Sequence, residues 1–240
     1  MNRLQKLLGS LAFGASLLAS TALGVAPAFA QAANPPSTNY AYGPGGVAVA
    51  PLYAGLLGSY TMTGVTGTMA AALGAASPIW SFRYGGTGVV VIKSIRFSAA
   101  DSATAFAAGT AQFNWFVARS FTASDTGGTG ATITGNNGKL RTSFPTTGIA
   151  DFRTATTATL SAGTRTLDTQ PLASITLGVQ ATAGVQLSDG SPSSVIYAAN
   201  AGDYPLVLAT NEGVVLQATV PATGTWSASI TVEWDEYSAY

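Results

Sequence analysis

Chemistry in this chain has few residues to draw on. It contains no His and no Cys, which excludes Ser-His-Asp and Cys-His catalysis and the familiar zinc sites. Carboxylates, hydroxyls and lysines remain. Glu233 and Asp235 lie two apart in a run of period two, which places both carboxylates on one strand face roughly 7 Å apart, a separation that could serve a glycosidase pair or hold calcium. A glycosidase normally draws its carboxylates from different strands into an aromatic-lined cleft, so this pair reads instead as the wet face of a strand. Asp125, in Asp125-Thr126-Gly127-Gly128-Thr129-Gly130, and Asp189-Gly190 could be calcium-binding turns. Neither gathers three nearby acids, and ordinary turn chemistry accounts for both. The clusters Gly85-Gly86-Thr87-Gly88 and Gly127-Gly128 lack the Gly-Lys-Ser/Thr ending of a phosphate loop and precede no helix. A serine-lysine dyad would have to use Lys93, placed mid-strand, or Lys139, in a turn. Trp80, Trp115, Trp226 and Trp234 would suit sugar stacking if exposed, but all four sit on apolar strand faces and read as core. These residues predict no catalytic, cofactor-binding or metal site, and a protein that is not an enzyme.

Composition bounds the partners. Arg3 and Lys6 open a basic start, Leu7 to Val25 form an apolar stretch with small residues, and Ala28-Phe29-Ala30 has the small-x-small form of a cleavage site. Met1 to Ala30 therefore reads as a secretory signal peptide; a membrane helix is the alternative, disfavoured by the Gly and Ser content and Pro27. No second apolar run of about eighteen residues follows. Export to the periplasm, the cell surface or the medium is expected, with no integral membrane segment after cleavage. Removal of Arg3 and Lys6 leaves eight basic residues against ten acidic, a net charge of −2, so no basic patch for nucleic acid is expected. Charged residues make up only 8% of the chain, against roughly 25% in ordinary globular proteins. So weakly charged a surface repels its own copies little and suits self-association or a larger assembly. Without Cys there are no disulfides, and stability must come from the core or from oligomerisation.

The elements that would position these residues are strands. Gln31 to Pro51, rich in Ala, Pro, Gly and Asn, reads as a flexible or extended arm, and residues 52–240 as one domain. Period-two patterns predict strands at Ser59–Thr63, Ile79–Tyr84, Val89–Phe97, Ala111–Phe121, Thr154–Leu160, Leu172–Gln180, Val195–Tyr197, Leu206–Ala209, Val214–Val220 and Trp226–Trp234. In the last, Trp226, Ala228, Ile230, Val232 and Trp234 share one face. The Gly85–Gly88 turn predicts a hairpin between its flanking strands, Pro221–Gly224 predicts another, and Asn136-Asn137-Gly138 a third between Ile133 and Leu140. Met69 to Ala76 is Ala-rich and is the one place for a short helical turn. Short strands spaced by turns indicate an all-β antiparallel sandwich or jelly roll. An outer-membrane barrel is the competitor, but counting back by two from Tyr240 gives Ser238, Glu236 and Trp234, which is no lipid-facing apolar row.

Four groups of residues carry a resemblance: Phe116-Val117-Ala118-Arg119-Ser120-Phe121-Thr122-Ala123-Ser124-Asp125-Thr126-Gly127-Gly128; Arg165-Thr166-Leu167-Asp168; Pro205-Leu206-Val207-Leu208-Ala209-Thr210-Asn211-Glu212-Gly213; and Val220-Pro221-Ala222-Thr223-Gly224-Thr225-Trp226 with Val232-Glu233-Trp234. In these the chain resembles an uncharacterised family of phage, prophage and metagenomic proteins usually presumed to be structural. The resemblance implies a shared fold and carries over no functional residues. The leader departs from virion proteins, which assemble in the cytoplasm. Three functions are expected from these readings: a structural block of an extracellular or surface assembly, a secreted module for carbohydrate or a protein partner, and a virion decoration or tail protein. No small-molecule substrate or cofactor is expected.

Overall fold

The computed structural model describes residues 40–42, 48–51, 55–70, 72–74, 77–101, 103–179, 181, 194–200 and 204–239. The expected leader and the Asp189-Gly190 loop lie outside the described residues. The chain divides into two units, residues 1–54 and 55–240. In the first, β1 (Tyr40–Tyr42) and β2 (Ala48–Pro51) pair antiparallel.

Thirteen strands among the described residues build the second unit. They are β3 (Leu56–Val65), β4 (Met69–Ala70), β5 (Ser77–Tyr84), β6 (Val89–Asp101), β7 (Gly109–Arg119), β8 (Thr129–Gly130), β9 (Ile149–Thr154), β10 (Thr166–Leu167), β11 (Ala173–Val179), β12 (Ser194–Ala198), β13 (Leu206–Leu208), β14 (Gly213–Thr219) and β15 (Thr225–Tyr237). One sheet runs β10-β7-β14-β5-β9-β8, with β11 also on β7; the other runs β12-β6-β15-β3, with β13 on β6 and β4 on β15. Every pairing is antiparallel. The unit is an all-β sandwich, as the strand periodicity predicts.

Alternation decides which side chains lie between the sheets. β15 buries Trp226, Ala228, Ile230, Val232 and Trp234 and turns Ser227, Ser229, Thr231 and Glu233 outward. From the opposite sheet Trp80, Phe82, Phe113 and Trp115 meet them, all fully buried. Rings interlock across the gap: Phe82 with Trp234 at 5.3 Å, Phe97 with Phe113 at 4.7 Å and with Trp115 at 5.0 Å, and Phe113 with Trp226 at 5.7 Å. Each such side chain withdraws about 150–250 Å² from water, and tilted or edge-on rings add about 0.5–1.5 kcal/mol per pair.

The expected hairpins are corrected. β5 lies in the seven-stranded sheet and β6 in the six-stranded one, so Gly85–Gly88 carries the chain across the sandwich. Pro221–Gly224 does the same between β14 and β15. Period two identifies the buried face of a strand but not its neighbour, and a four-residue link spans the roughly 10 Å between packed sheets as readily as it folds a hairpin. Gly88 shows how tight the first crossing is: a Cβ there would stand 2.0 Å from the carbonyl oxygen of Tyr237. Asn136-Asn137-Gly138 does form a turn, with Gly138 at φ +74°, but it joins no hairpin. It clips onto the edge of β3, where Thr61 N donates to Gly138 O (2.7 Å) and Leu140 N to Ser59 O (3.0 Å).

Two element boundaries also move. Met69 and Ala70 form β4 against Trp226 and Thr225, and residues 72–74 are not helical, so pairing overrides an Ala-rich propensity. The strand expected at Thr154–Leu160 ends at Thr154 and begins at Ile149 instead. Thr156 and Thr157 stand exposed, and Thr favours strands only where a pleated surface receives it.

If the inter-sheet rings hold the unit together, Phe82→Ala lowers unfolding free energy by about 3–5 kcal/mol. Thr110→Ser, at an exposed position of β7, changes it by less than about 0.5 kcal/mol. Denaturant titration of both variants checks the contrast.

Candidate functional site

The densest collection of charge lies on the outer face of the seven-stranded sheet. There β5 presents Arg83 and β9 presents Asp151 and Arg153, Arg119 ends β7 with the inward parity of Trp115 and Val117, and the segments 120–128 and 161–165 lie beside them, the second leading into β10. The loops are seated by a second small apolar cluster in which Ala118, Phe121 and Val215 are fully buried and Leu167 packs against them. The half-buried Phe116 lies on this outer side too.

Beside that cluster Asp125 and Arg165 form an ion pair with side chains 0% and 5% exposed. Arg165 also stands over the Phe121 ring, 5.4 Å from its centroid, and Asp125 accepts from Gly163 N at 2.7 Å. Burial pushes the Arg165 pKa down. Nearby, Arg83 donates to Ser124 Oγ (3.2 Å) and Asn211 Oδ1 (2.9 Å). Arg119 spreads its guanidinium between Glu212 (2.7 Å) and Asp168 (3.3 Å), and those hydrogen bonds, Glu212's first, raise its pKa further. Arg153 reaches Asp151 (2.9 Å) and Gly127 O (2.8 Å). Two residues here hold left-handed backbone without being glycine, Ser120 (φ 50°) and Asn211 (φ 63°), and Phe121 N donates to Asn211 O at 2.6 Å. Segments far apart in sequence, around Arg119 to Asp125, Arg165 to Asp168 and Asn211 to Glu212, thus converge in one network. Its arginines are engaged by acceptors of the chain itself, and its chemistry is that of a clamp fastening two loops to a sheet.

The carboxylates singled out by spacing stand on the other sheet. Asp235 is buried and receives the Ser59 hydroxyl and Lys93 Nζ, the latter at 3.3 Å. Lys93 also lies 3.4 Å from Ser59 Oγ, so serine and lysine do meet. A lysine that activates serine must be neutral, which calls for apolar burial away from carboxylates. Lys93 has the opposite setting, 42% exposed and ion-paired. Lys139 lies exposed in its turn, 3.5 Å from Asn136 Oδ1. Glu233 faces Thr61 and Ser94 across the ladders. The shallow depression on this sheet, about 120 Å³ and lined by Val65, Ser98, Ala100, Ser227 and Ser229 among others, contains no carboxylate. All four tryptophans are fully buried. Among the described residues no group of three His, Cys, Asp or Glu is placed to hold a metal ion.

One acid escaped the spacing argument. Glu236 is only 4% exposed and has the parity of Trp234, so it points inward at the end of the core. It accepts from Gly148 N (3.0 and 2.9 Å), from the Thr147 hydroxyl and from Trp234 Nε1 (3.1 Å). Tyr60 stacks on Trp234 at 5.6 Å and donates to Pro145 O (3.1 Å). Burial, with the Glu236 charge second, pushes the Tyr60 phenol up to about 12 and raises Tyr84 in the same sense. The period-two rule applied one step beyond Trp234 would have found this carboxylate.

Comparison with known proteins finds no family model, curated protein or solved structure that matches the chain.

Two outcomes follow from this geometry. Arg165→Ala strands a buried carboxylate and costs about 3–5 kcal/mol, whereas the apolar pair Asp125→Leu with Arg165→Met recovers most of that loss; thermal or denaturant unfolding of the three chains tests it. Tyr60 titrates at 10.0 when unfolded and at about 12 when folded, so between those values the folded chain binds more protons than the unfolded one. Its contribution to stability is complete below about pH 10 and is lost as pH rises toward about 12. Tyr60→Phe flattens that part of the stability curve.

Proposed function

We infer that this chain is a non-enzymatic structural protein, exported and used as a building block of an extracellular or cell-surface assembly. The observation that carries the reading is how the charges are spent. In a chain already poor in charge, Lys93, Arg119, Arg153 and Arg165 are held in internal ion pairs with Asp235, Asp168 and Glu212, Asp151, and Asp125, and beyond Arg96 and Thr231 one end of the outer face of the six-stranded sheet carries only Val65, Ser98, Ala100, Ser227 and Ser229 among the described residues. Neutral faces of this kind approach copies of themselves without electrostatic penalty. A carbohydrate-binding role loses its main motive because the four tryptophans are core.

The test uses the protein recovered from its native host. Mass spectrometry of the N-terminus and light scattering with electron microscopy over a range of concentrations are expected to give a chain starting at Gln31 that forms higher-order species. A strictly monomeric protein at high concentration overturns the building-block reading, and an uncleaved Met1 turns it toward a virion role.

A further inference from the structure

Among the described residues the sandwich leaves one edge strand unguarded. Edge strands offer a row of unpaired backbone N–H and C=O groups, and monomeric proteins blunt them by shortness, charge, proline, bulges or a covering segment. Among the described residues the other edges carry such devices. β8 and β10 have two residues each and β13 three. β12 has five and a register break between Val195 and Tyr197. β3 is clipped by the turn at Gly138–Leu140. β11 differs. Its seven residues, Ala-Ser-Ile-Thr-Leu-Gly-Val, contain no charge and no proline and pair with β7 in unbroken register from Ala173–Trp115 to Val179–Gly109. Its inward side chains Ile175 and Leu177 pack against the main core yet stay only half-buried, so the apolar layer is incomplete at this rim.

We propose that the open edge of β11 pairs with β11 of a second copy, antiparallel about a two-fold axis, extending the seven-stranded sheet across two molecules and covering Ile175 and Leu177. An antiparallel edge is complementary to itself, which makes a second copy the partner that needs no further adaptation. A joint of seven residues is smaller than the about 1,200–2,000 Å² of a stable standard interface, so the dimer is reversible and concentration-dependent. The proposal rests on the building-block reading and supplies its contact.

Ser174 and Thr176 are exposed on the outward face of β11, so Ser174→Lys with Thr176→Lys adds charge at the joint without entering the core. Sedimentation velocity on the mature protein is expected to show a dimer for the wild type and a monomer for this variant at equal concentration, with the same circular dichroism spectrum. A variant that assembles like the wild type overturns the edge contact and leaves the building-block reading standing; a monomeric wild type at all concentrations overturns both. Because the chain has no cysteine, single thiols give a second readout that does not depend on the lysine variant folding. Residues opposite one another in antiparallel strands have Cα atoms about 4.5–5.5 Å apart, within disulfide range. Of Ser174→Cys alone, Thr176→Cys alone and the two mixed, one combination, fixed by where the two-fold axis falls, is expected to give disulfide-linked dimers in excess of the others, and Thr63→Cys on β3 is not. Equal cross-linking at all three positions overturns the proposal.

Discussion

The contact on which this structure depends is aromatic packing between two sheets that share no ladder among the described residues. β5 and β14 are neighbours in one sheet, while the strands that follow them directly, β6 and β15, are neighbours in the other. The chain therefore crosses the sandwich at both tight turns, and a ladder never forms between the strands on either side of them. Cohesion across the gap falls to side chains, and here the sequence places its largest: Phe82 on Trp234, Phe97 on Trp115, Phe113 on Trp226. With no disulfide to restrict the unfolded chain, burial of those rings is the main favourable term. Both ladders of β15, to β6 and to β3, run along the strand that carries two of the four tryptophans, so backbone pairing and ring packing reinforce each other in one element.

Polar groups are handled in two ways that differ in physical cost. Glu236 is an acid at the end of an apolar layer, and neutral donors from Thr147, Gly148 and Trp234 replace its water. Asp125 is buried against a cation instead, and the low dielectric that strengthens the pair also penalises each partner's desolvation. Such a pair contributes little net stability relative to an apolar one, but it discriminates strongly against any arrangement that separates its members. That suits its position, because the segments around Asp125 and Arg165 are largely irregular and meet through only short backbone contacts, Thr122 N to Thr164 O and the paired Thr126 and Ser161. The left-handed backbone at Ser120 and Asn211 costs on the order of 1–3 kcal/mol per residue, and it persists where Arg83 and the Phe121 amide bind Asn211.

Legibility in the sequence followed the physics of each signal. Burial has a period, so the faces of β5, β7 and β15, the core role of all four tryptophans and the all-β sandwich were readable from alternation alone. Neighbourhood has no period. Gly85–Gly88 and Pro221–Gly224 carry the same turn residues whether the chain folds back or crosses over, which is why hairpins were expected where crossings occur. The Asn136-Asn137-Gly138 turn was readable as a turn, but its partner on β3 lies far away in sequence. The ion-pair network was the least accessible, since Arg119, Asp168 and Glu212 reveal nothing by spacing and meet only after β7, β10 and β14 have paired. Glu236 shares the parity of Trp234 and so was legible from period two as an inward acid, while Glu233 and Asp235 form the more conspicuous pair on the outward face.

Low charge bears on self-association through these placements. A soluble monomer normally keeps an abundant mixed-sign surface that holds copies apart. Here four of the chain's ten basic residues, Arg83, Arg119, Arg153 and Arg165, serve one clamp on one sheet, and Lys93 is tied to Asp235 on the other. Charges held in internal pairs project little field beyond a Debye length of about 8 Å at physiological salt. Long-range repulsion then has little part in deciding whether two copies meet. Short-range features decide it: which edges are capped, which are bulged, and which carry neither device. An edge strand free of charge is a hazard on a protein that remains alone and a ready contact on one that assembles with its own copies.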